Sequence, residues 1–363
     1  MRIAVVGGGI IGLAVTRELQ LRGYKPICFD PAPGCGSSTG DGRIFRLAHG
    51  DGALVNLAIE VQGLWQEWER QTNLVFLQRQ GLLVCGEVRV QPYEKGLRDA
   101  GVAHSLLSAS DGSKHLPWVT LGETCLFDPA GGFTDAALAI SWVLAETEGA
   151  QVRQSISSID VGAAGVSLNG GEPFERVLLC AGAATVPLAS TVGISLPDHH
   201  SRHIRFAHQC PPGRWPALLH YERDHLPYGA YGVSLADGLY GVGVGWSDPP
   251  AKRDWSLERT VAHHAAINHE YRNRAMPSLS PTGNYVQCLN NHWPFPPGRQ
   301  FAVWQNKGLV VFGGNDHFKF GPLLGRDLAD VLLENKVPEH LGPVVWPEQH
   351  PTQDTEVIFS AGR

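Results

Sequence analysis

The stretch Arg2-Ile3-Ala4-Val5-Val6-Gly7-Gly8-Gly9-Ile10-Ile11-Gly12 decides the fold. Residues 2 to 6 read as a short strand buried on both faces, as in a parallel sheet. Gly7, Gly9 and Gly12 then fit the G-x-G-x-x-G spacing. Gly7 permits a tight turn, Gly9 lets backbone approach a pyrophosphate, and Gly12 lets helix and strand pack closely. Residues 10 to 22 read as a helix with Ile11, Val15 and Leu19 on one face and Gly23 at the stop. Its N-terminus offers unpaired N–H groups to phosphate. Residues 25 to 29 form a second strand ending at Asp30, placed to hydrogen-bond an adenosine ribose. The unit therefore predicts a dinucleotide site. An acid rather than an arginine at position 30 favours FAD or NAD over NADP.

Moving outward, residues 31 to 52 are rich in Gly, Ser and Asp and read as a long functional loop. A helix carrying Leu54, Leu57, Ala58, Val61, Leu64 and Trp65 follows. From Leu74 to about Phe127, short strand-like runs such as Gly81–Cys85 alternate with polar turns. Residues 134 to 148 read as a helix opened by Thr134-Asp135. Val177–Cys180 is a buried strand ending in Ala181-Gly182-Ala183. Residues 202 to 246 look β-rich, and in Leu239–Trp246 the glycines Gly241, Gly243 and Gly245 share one face. Such a face implies that something packs closely on it. Residues 256 to 272 read as a helix, Leu309–Phe312 as a late strand followed by Gly313-Gly314, and about Pro322 to Asn335 as a final helix. The pattern is α/β (α+β): a Rossmann-type nucleotide-binding domain with an inserted, mostly antiparallel substrate domain. We assign residues 1–78, 129–197 and 298–363 to the first, and 79–128 and 198–297 to the second.

The chain has 363 residues, with 29 basic and 35 acidic side chains and a formal charge of -6. That balance argues against nucleic acid or an anionic membrane as partner. No apolar run has the length of a bilayer span. No basic segment with an apolar run and small-residue cleavage site marks the N-terminus, and Ser360-Ala361-Gly362-Arg363 is not a Ser-Lys-Leu signal. A cytoplasmic location is the expectation. Seven cysteines without a C-x-x-C pair point to free thiols. The cluster His199, His200 and His203 lacks a carboxylate or cysteine at ligand spacing, so no metal is expected.

Gly36-Ser37-Ser38-Thr39-Gly40-Asp41-Gly42-Arg43-Ile44-Phe45-Arg46 resembles the flavin loop of the monomeric sarcosine oxidase and N-methyltryptophan oxidase family. Leu64-Trp65-Gln66-Glu67-Trp68-Glu69, Gln80–Val84 and His317-Phe318-Lys319-Phe320 are similar to that family too. The resemblance implies a D-amino-acid-oxidase-like fold, FAD as cofactor, a small amino-acid-like substrate and a monomer. It implies that Arg46 and Lys319 clamp a substrate carboxylate, that Arg43 lies against the flavin ring, and that Cys288 bonds covalently to the flavin. The arginine fork suits a carboxylate or pyrophosphate on chemical grounds alone. The expected catalytic residues are Arg46, Lys319 and Arg43. The expected cofactor-binding residues are Gly7, Gly9, Ile11, Gly12, Asp30, Ser37, Thr39, Arg43, Ala181, Gly182, Cys288, Gly314, Phe318 and Lys319.

Two positions depart from the family. Thr39 stands where sarcosine oxidases have a second histidine, and Gly243 takes the place of their oxygen-activating lysine. Reoxidation by O2 then needs another cation, or electrons pass to another acceptor. Tyr231, Trp246, Trp293 and Trp304 are pocket candidates, with core packing as their alternative. The expected reaction is oxidation of a secondary, N-methylated or cyclic amino acid to an imine. The alternatives are a primary amino-acid oxidase or dehydrogenase of the glycine or D-amino-acid type, and a non-catalytic FAD-binding subunit.

Overall fold

The computed structural model describes residues 1–198, 200–221, 229–235, 238–244, 255–291, 293–296 and 298–344. His199, Trp246 and the stretch 360–363 fall outside the described residues.

The strand Ile3–Val6 is buried throughout and pairs in parallel with Arg176–Leu179 on one side and Ile27–Phe29 on the other. It lies in a six-stranded sheet ordered Phe301–Asn306, Leu309–Gly314, Arg176–Leu179, Ile3–Val6, Ile27–Phe29, Gln151–Val152. Only the edge strand Phe301–Asn306 runs antiparallel to its neighbour. The chain goes to one side of Ile3–Val6 for its next strand of this sheet and returns later to the other. That switch opens a crevice beyond the carboxyl end of Val6, where the glycine turn lies. Helix Ile10–Leu21 follows, with Ile11, Val15 and Leu19 all buried.

An eight-stranded sheet is ordered Ser280–Asn291, His200–Gln209, Leu239–Val244, Ala230–Ser234, Ala217–His220, Leu82–Cys85, Cys125–Asp128, Ser105–Leu107. It is antiparallel except where Ala217–His220 meets Leu82–Cys85. A small third sheet, Gly42–Phe45, Gly132–Asp135 and Leu77–Gln78, lies next to both in sequence and carries Arg43. None of the seven cysteines is in a disulfide, and the Cys85 and Cys125 sulfurs lie 2.7 Å apart. Among the described residues no helix is long and apolar enough to cross a membrane.

Three sequence expectations need correction. Residues 31 to 52 are not loop throughout: a 3-10 turn, Gly36–Ser38, and the strand Gly42–Phe45 lie within them. Their Gly, Ser and Asp content hid a strand that forms because Gly132–Asp135 supplies its partner. The stretch 74 to 127 is not all strand and turn, since it holds helices Glu87–Asp99 and Ala109–His115. In the first, Val88 and Val90 alternate like a strand and Pro92 looks like a breaker, yet the buried Val90, Tyr93 and Leu97 follow helical spacing. In the second, a polar segment is started by Ser108, whose Oγ accepts from Asp111 N. The helix expected from residue 134 begins at Ala136, because Thr134 and Asp135 end a strand and Asp135 caps the helix by accepting from Leu138 N.

Candidate active site

Gly7 turns the chain at φ +114°, a conformation that side chains rarely adopt. A Cβ on Gly12 would lie 1.8 Å from the Gly7 carbonyl oxygen, so the helix can approach the strand only through glycine. Ile11 and Gly12 lie in the first helical turn, whose N–H groups have no carbonyl one turn earlier. The Asp30 carboxylate accepts from Gly8 N at 2.6 Å and Ala32 N at 2.8 Å, and each oxygen keeps a further lone pair. A Cβ on Gly7 would also lie 2.8 Å from Ala181 Cα, which places Ala181 against the turn. Gly182, at φ +58°, starts the 3-10 turn beyond it. Backbone N–H groups, a helix N-terminus and an acid at the next strand end therefore converge on one crevice. That donor set fits the pyrophosphate and ribose of a dinucleotide.

Sequence reasoning missed Ser38. Its buried hydroxyl accepts from Ile10 N at 3.1 Å and stands beside Gly9, tying the flavin-type loop to the glycine turn. Ser37 instead donates to the Leu289 carbonyl at 2.6 Å. Thr39 donates through Oγ1 to the Gly36 carbonyl at 2.8 Å. Arg43 donates to the carbonyls of Gly42, Ser37 and Thr39, and its Nη2 lies 3.6 Å from the Cys288 sulfur. Its guanidinium carbon is 5.7 Å from the centre of the Phe318 ring. Loop 36–43 is thus stitched to the strand Ser280–Asn291, with Arg43, Cys288 and Phe318 in one neighbourhood.

A second cluster forms around Arg46 and Lys319, both buried. Arg46 Nη1 donates to Tyr93 Oη at 3.0 Å, and its guanidinium lies over that ring. Lys319 Nζ donates to the Asp316 carbonyl at 3.3 Å. Its turn, Phe318–Phe320, is anchored by Trp65 Nε1, which donates to the Lys319 carbonyl at 2.7 Å. Gly314 ends the strand before this turn, and its carbonyl accepts from His317 Nδ1 at 3.1 Å. Burial, and then the Arg46 charge, push the Lys319 pKa down to about 7 against the pull of Asp316. His49 is buried beside both cations and is held well below its ordinary pKa, first by burial and then by their charges. Among the described residues neither Arg46 nor Lys319 is ion-paired. Two buried cations that feel the Asp316 charge but are ion-paired to no carboxylate make a site for an anion brought by a ligand.

Asp128 sets the backbone under this cluster. Its fully buried carboxylate accepts from Leu47 N, Ala48 N, Ala130 N and Gly131 N, at 2.9 to 3.1 Å. Burial pushes its pKa up, opposed by those four bonds. They fix the segment between Arg46 and His49 to the turn at residues 128–131.

His49 and Tyr93 were not singled out in the sequence. Tyr93 hid on the unrecognised helix, and His49 in the polar loop. The glycine face of Leu239–Val244 is covered by Tyr231, one of the aromatic candidates named from the sequence, and by Arg205, which the sequence did not single out. Trp293 and Trp304 pack edge-on to each other, Trp293 inside the core beside the six-stranded sheet and Trp304 half-buried against it. His200 bonds to Asp198, while His203 stacks on Tyr231 at 6.3 Å.

A model of the FAD dependent oxidoreductase family matches residues 2–331. The chain is 30% identical to the monomeric sarcosine oxidase of Bacillus sp. (strain B-0618), over 93% of each protein. It superposes with a TM-score of 0.80 on the open form of NikD, described as an unusual amino acid oxidase, at 22% identity over 96% of this chain and 98% of that one. The L-proline dehydrogenase of P. horikoshii gives 0.75 at 17% identity, over 93% and 94%. The chain belongs to the FAD-dependent oxidoreductase family and is a sarcosine-oxidase-like amine or amino-acid oxidoreductase.

Proposed function

We propose that this flavoenzyme oxidises a secondary, N-methylated or cyclic amino acid to an imine. The observation that carries the reading is the buried, unpaired Arg46–Lys319 pair, which calls for a carboxylate. The sarcosine oxidase that is 30% identical is named for an N-methylated amino acid, in keeping with that choice. FAD would lie with its pyrophosphate on Gly7, Gly9, Ile11 and Gly12, its ribose on Asp30, and its ring among Arg43, Cys288 and Phe318. Thr39, Ala181, Gly182 and Gly314 would line its path. When bound, FAD accepts the hydride from the carbon next to the amine. Arg46 and Lys319 hold the carboxylate and so fix the carbon that reacts. Tyr93 orients Arg46, and the neutral His49 offers a hydrogen bond without adding charge.

Anaerobic bleaching of the bound flavin tests this. N-methylglycine or proline is expected to bleach it faster than glycine or D-alanine. Arg46→Met is expected to retain FAD and lose at least about 1000-fold in reduction rate. Unimpaired reduction in Arg46→Met overturns the site.

We further propose that Cys288 carries the flavin covalently, since its sulfur lies 3.6 Å from Arg43 Nη2, in the neighbourhood proposed for the flavin ring. Colour that stays with acid-precipitated protein, and leaves it in Cys288→Ser, is the expected result. Colour released from the native protein removes the linkage.

A further inference from the structure

Three residues form one row across the eight-stranded sheet. Arg205 lies opposite Gly243 on one neighbouring strand, and Tyr231 opposite it on the other. Directly opposed residues point to the same face. A Cβ on Gly243 would lie 2.2 Å from Tyr231 Cε1, and one on Gly241 would lie 2.9 Å from Arg205 Cδ. The glycines therefore make room for a tyrosine and an arginine contributed by other strands. Farther out, Val286 lies opposite Arg205 and Cys288 opposite His203, so Cys288 shares this face. It is the face that meets Arg43.

Arg205 is only 6% exposed. Its Nη1 donates to the Gly42 carbonyl at 2.6 Å. Its Nε and Nη2 are buried and have no hydrogen-bond partner. Among the described residues it makes no ion pair. Arginine cannot shed its charge at any ordinary pH. A buried guanidinium with two idle donors is costly unless an anion or acceptor comes to it. The carbonyl bond holds the guanidinium in place, so the idle donors are preorganised. Beside them lie Gly42, Arg43 and Cys288, of which Arg43 and Cys288 are residues that the proposed function gathers around the flavin ring.

We propose that Arg205 is the cation that stabilises the negative charge of reduced FAD and of the oxygen it reduces. It does from the neighbouring strand what a side chain at position 243 cannot do, because Tyr231 occupies that space. The half-reaction is FADH⁻ + O2 + H⁺ → FAD + H2O2. Two electrons and one proton leave the reduced flavin, and the second proton comes from solvent. The first electron turns neutral O2 into an anion, and a fixed cation lowers the free energy of that step. The inference rests on the reading that the flavin ring lies between Arg43 and Cys288, and it commits to O2 as electron acceptor.

The test needs no amine substrate. The purified holoenzyme is photoreduced without air and mixed with O2, and recovery of flavin absorbance gives the rate. The midpoint potential of bound FAD is measured alongside. Arg205→Met is expected to keep FAD and to be reoxidised about 100-fold more slowly. Its preference for reduced over oxidised FAD is expected to fall about tenfold, which is about 30 mV for a two-electron couple. Arg205→Lys keeps the charge and is expected to stay within about tenfold of wild type. Wild-type rate and potential in Arg205→Met overturn the proposal. So does a reduced wild-type enzyme that O2 does not reoxidise. Should the Met variant lose FAD, Arg205→Gln is compared with Arg205→Lys. The proposal requires a slow Gln variant and a fast Lys variant, and equal rates overturn it. If no amine bleaches the flavin, the proposed substrate reaction falls while this test still runs.

Discussion

The two halves of the site are built in different ways. The dinucleotide crevice is local: Gly7, Gly9, Gly12 and Asp30 come from one strand–helix–strand unit, and backbone does most of the work. The cation-lined half is assembled from distant segments. Arg43 and Arg46 come from an early loop and strand, Tyr93 from a helix, Arg205 and Cys288 from paired strands, and Lys319 from a turn before the last long helix. In the first half, each residue's role follows from its spacing. In the second, it follows from which strands pair and in what register. Backbone recognition tolerates little substitution, whereas side-chain charges can be supplied from alternative positions. Gly243 with Arg205, in the role proposed for it, is one such exchange.

The largest expected effect breaks the local half. In Gly12→Ala, the new Cβ would meet the Gly7 carbonyl oxygen at 1.8 Å with only backbone to move. The expected outcome is a protein that holds no FAD and melts at a markedly lower temperature than the native holoenzyme. Absorbance of the purified protein and a thermal scan check both. Normal FAD content would show that the turn has more slack than its geometry implies.

A smaller effect sharpens the distal half. Lys319 titrates at about 7 in the free site, because burial and Arg46 both oppose its charge. It is therefore cationic below that pH and neutral above it. A simple carboxylate without an amine should bind with constant affinity below pH 7 and weaken above it, by up to about tenfold per pH unit. His49 adds no step near its ordinary pKa, because it is already neutral there. Titration of the flavin spectrum with acetate from pH 6 to 9 reads this directly. Lys319→Met should bind acetate weakly and without pH dependence over that range.

These differences explain what was legible in advance. The glycine turn, Asp30 and the Arg43–Arg46 spacing could be read because strand, turn and acid follow one another in the chain. Lys319 could be read because it sits in a short distinctive motif. Tyr93 could not, since Pro92 and the Val88–Val90 alternation disguised its helix. Arg205 could not, since its opposition to Gly243 exists only once two strands have paired in register. The glycine face did signal that something packs on it. Only the structure says that the occupants are a guanidinium and a phenol ring.

The central claim is that Arg46 and Lys319 select a carboxylate-bearing amine, and a single chemical change in the substrate tests it most directly. The rate of anaerobic flavin bleaching by N-methylglycine is compared with that by its methyl ester, at matched concentrations of neutral amine. The clamp predicts that the ester, which has lost the anion and kept the amine, bleaches at least about 100-fold more slowly. An ester that reduces the flavin as fast as the acid would contradict the clamp, and with it the assignment of these two cations to substrate binding.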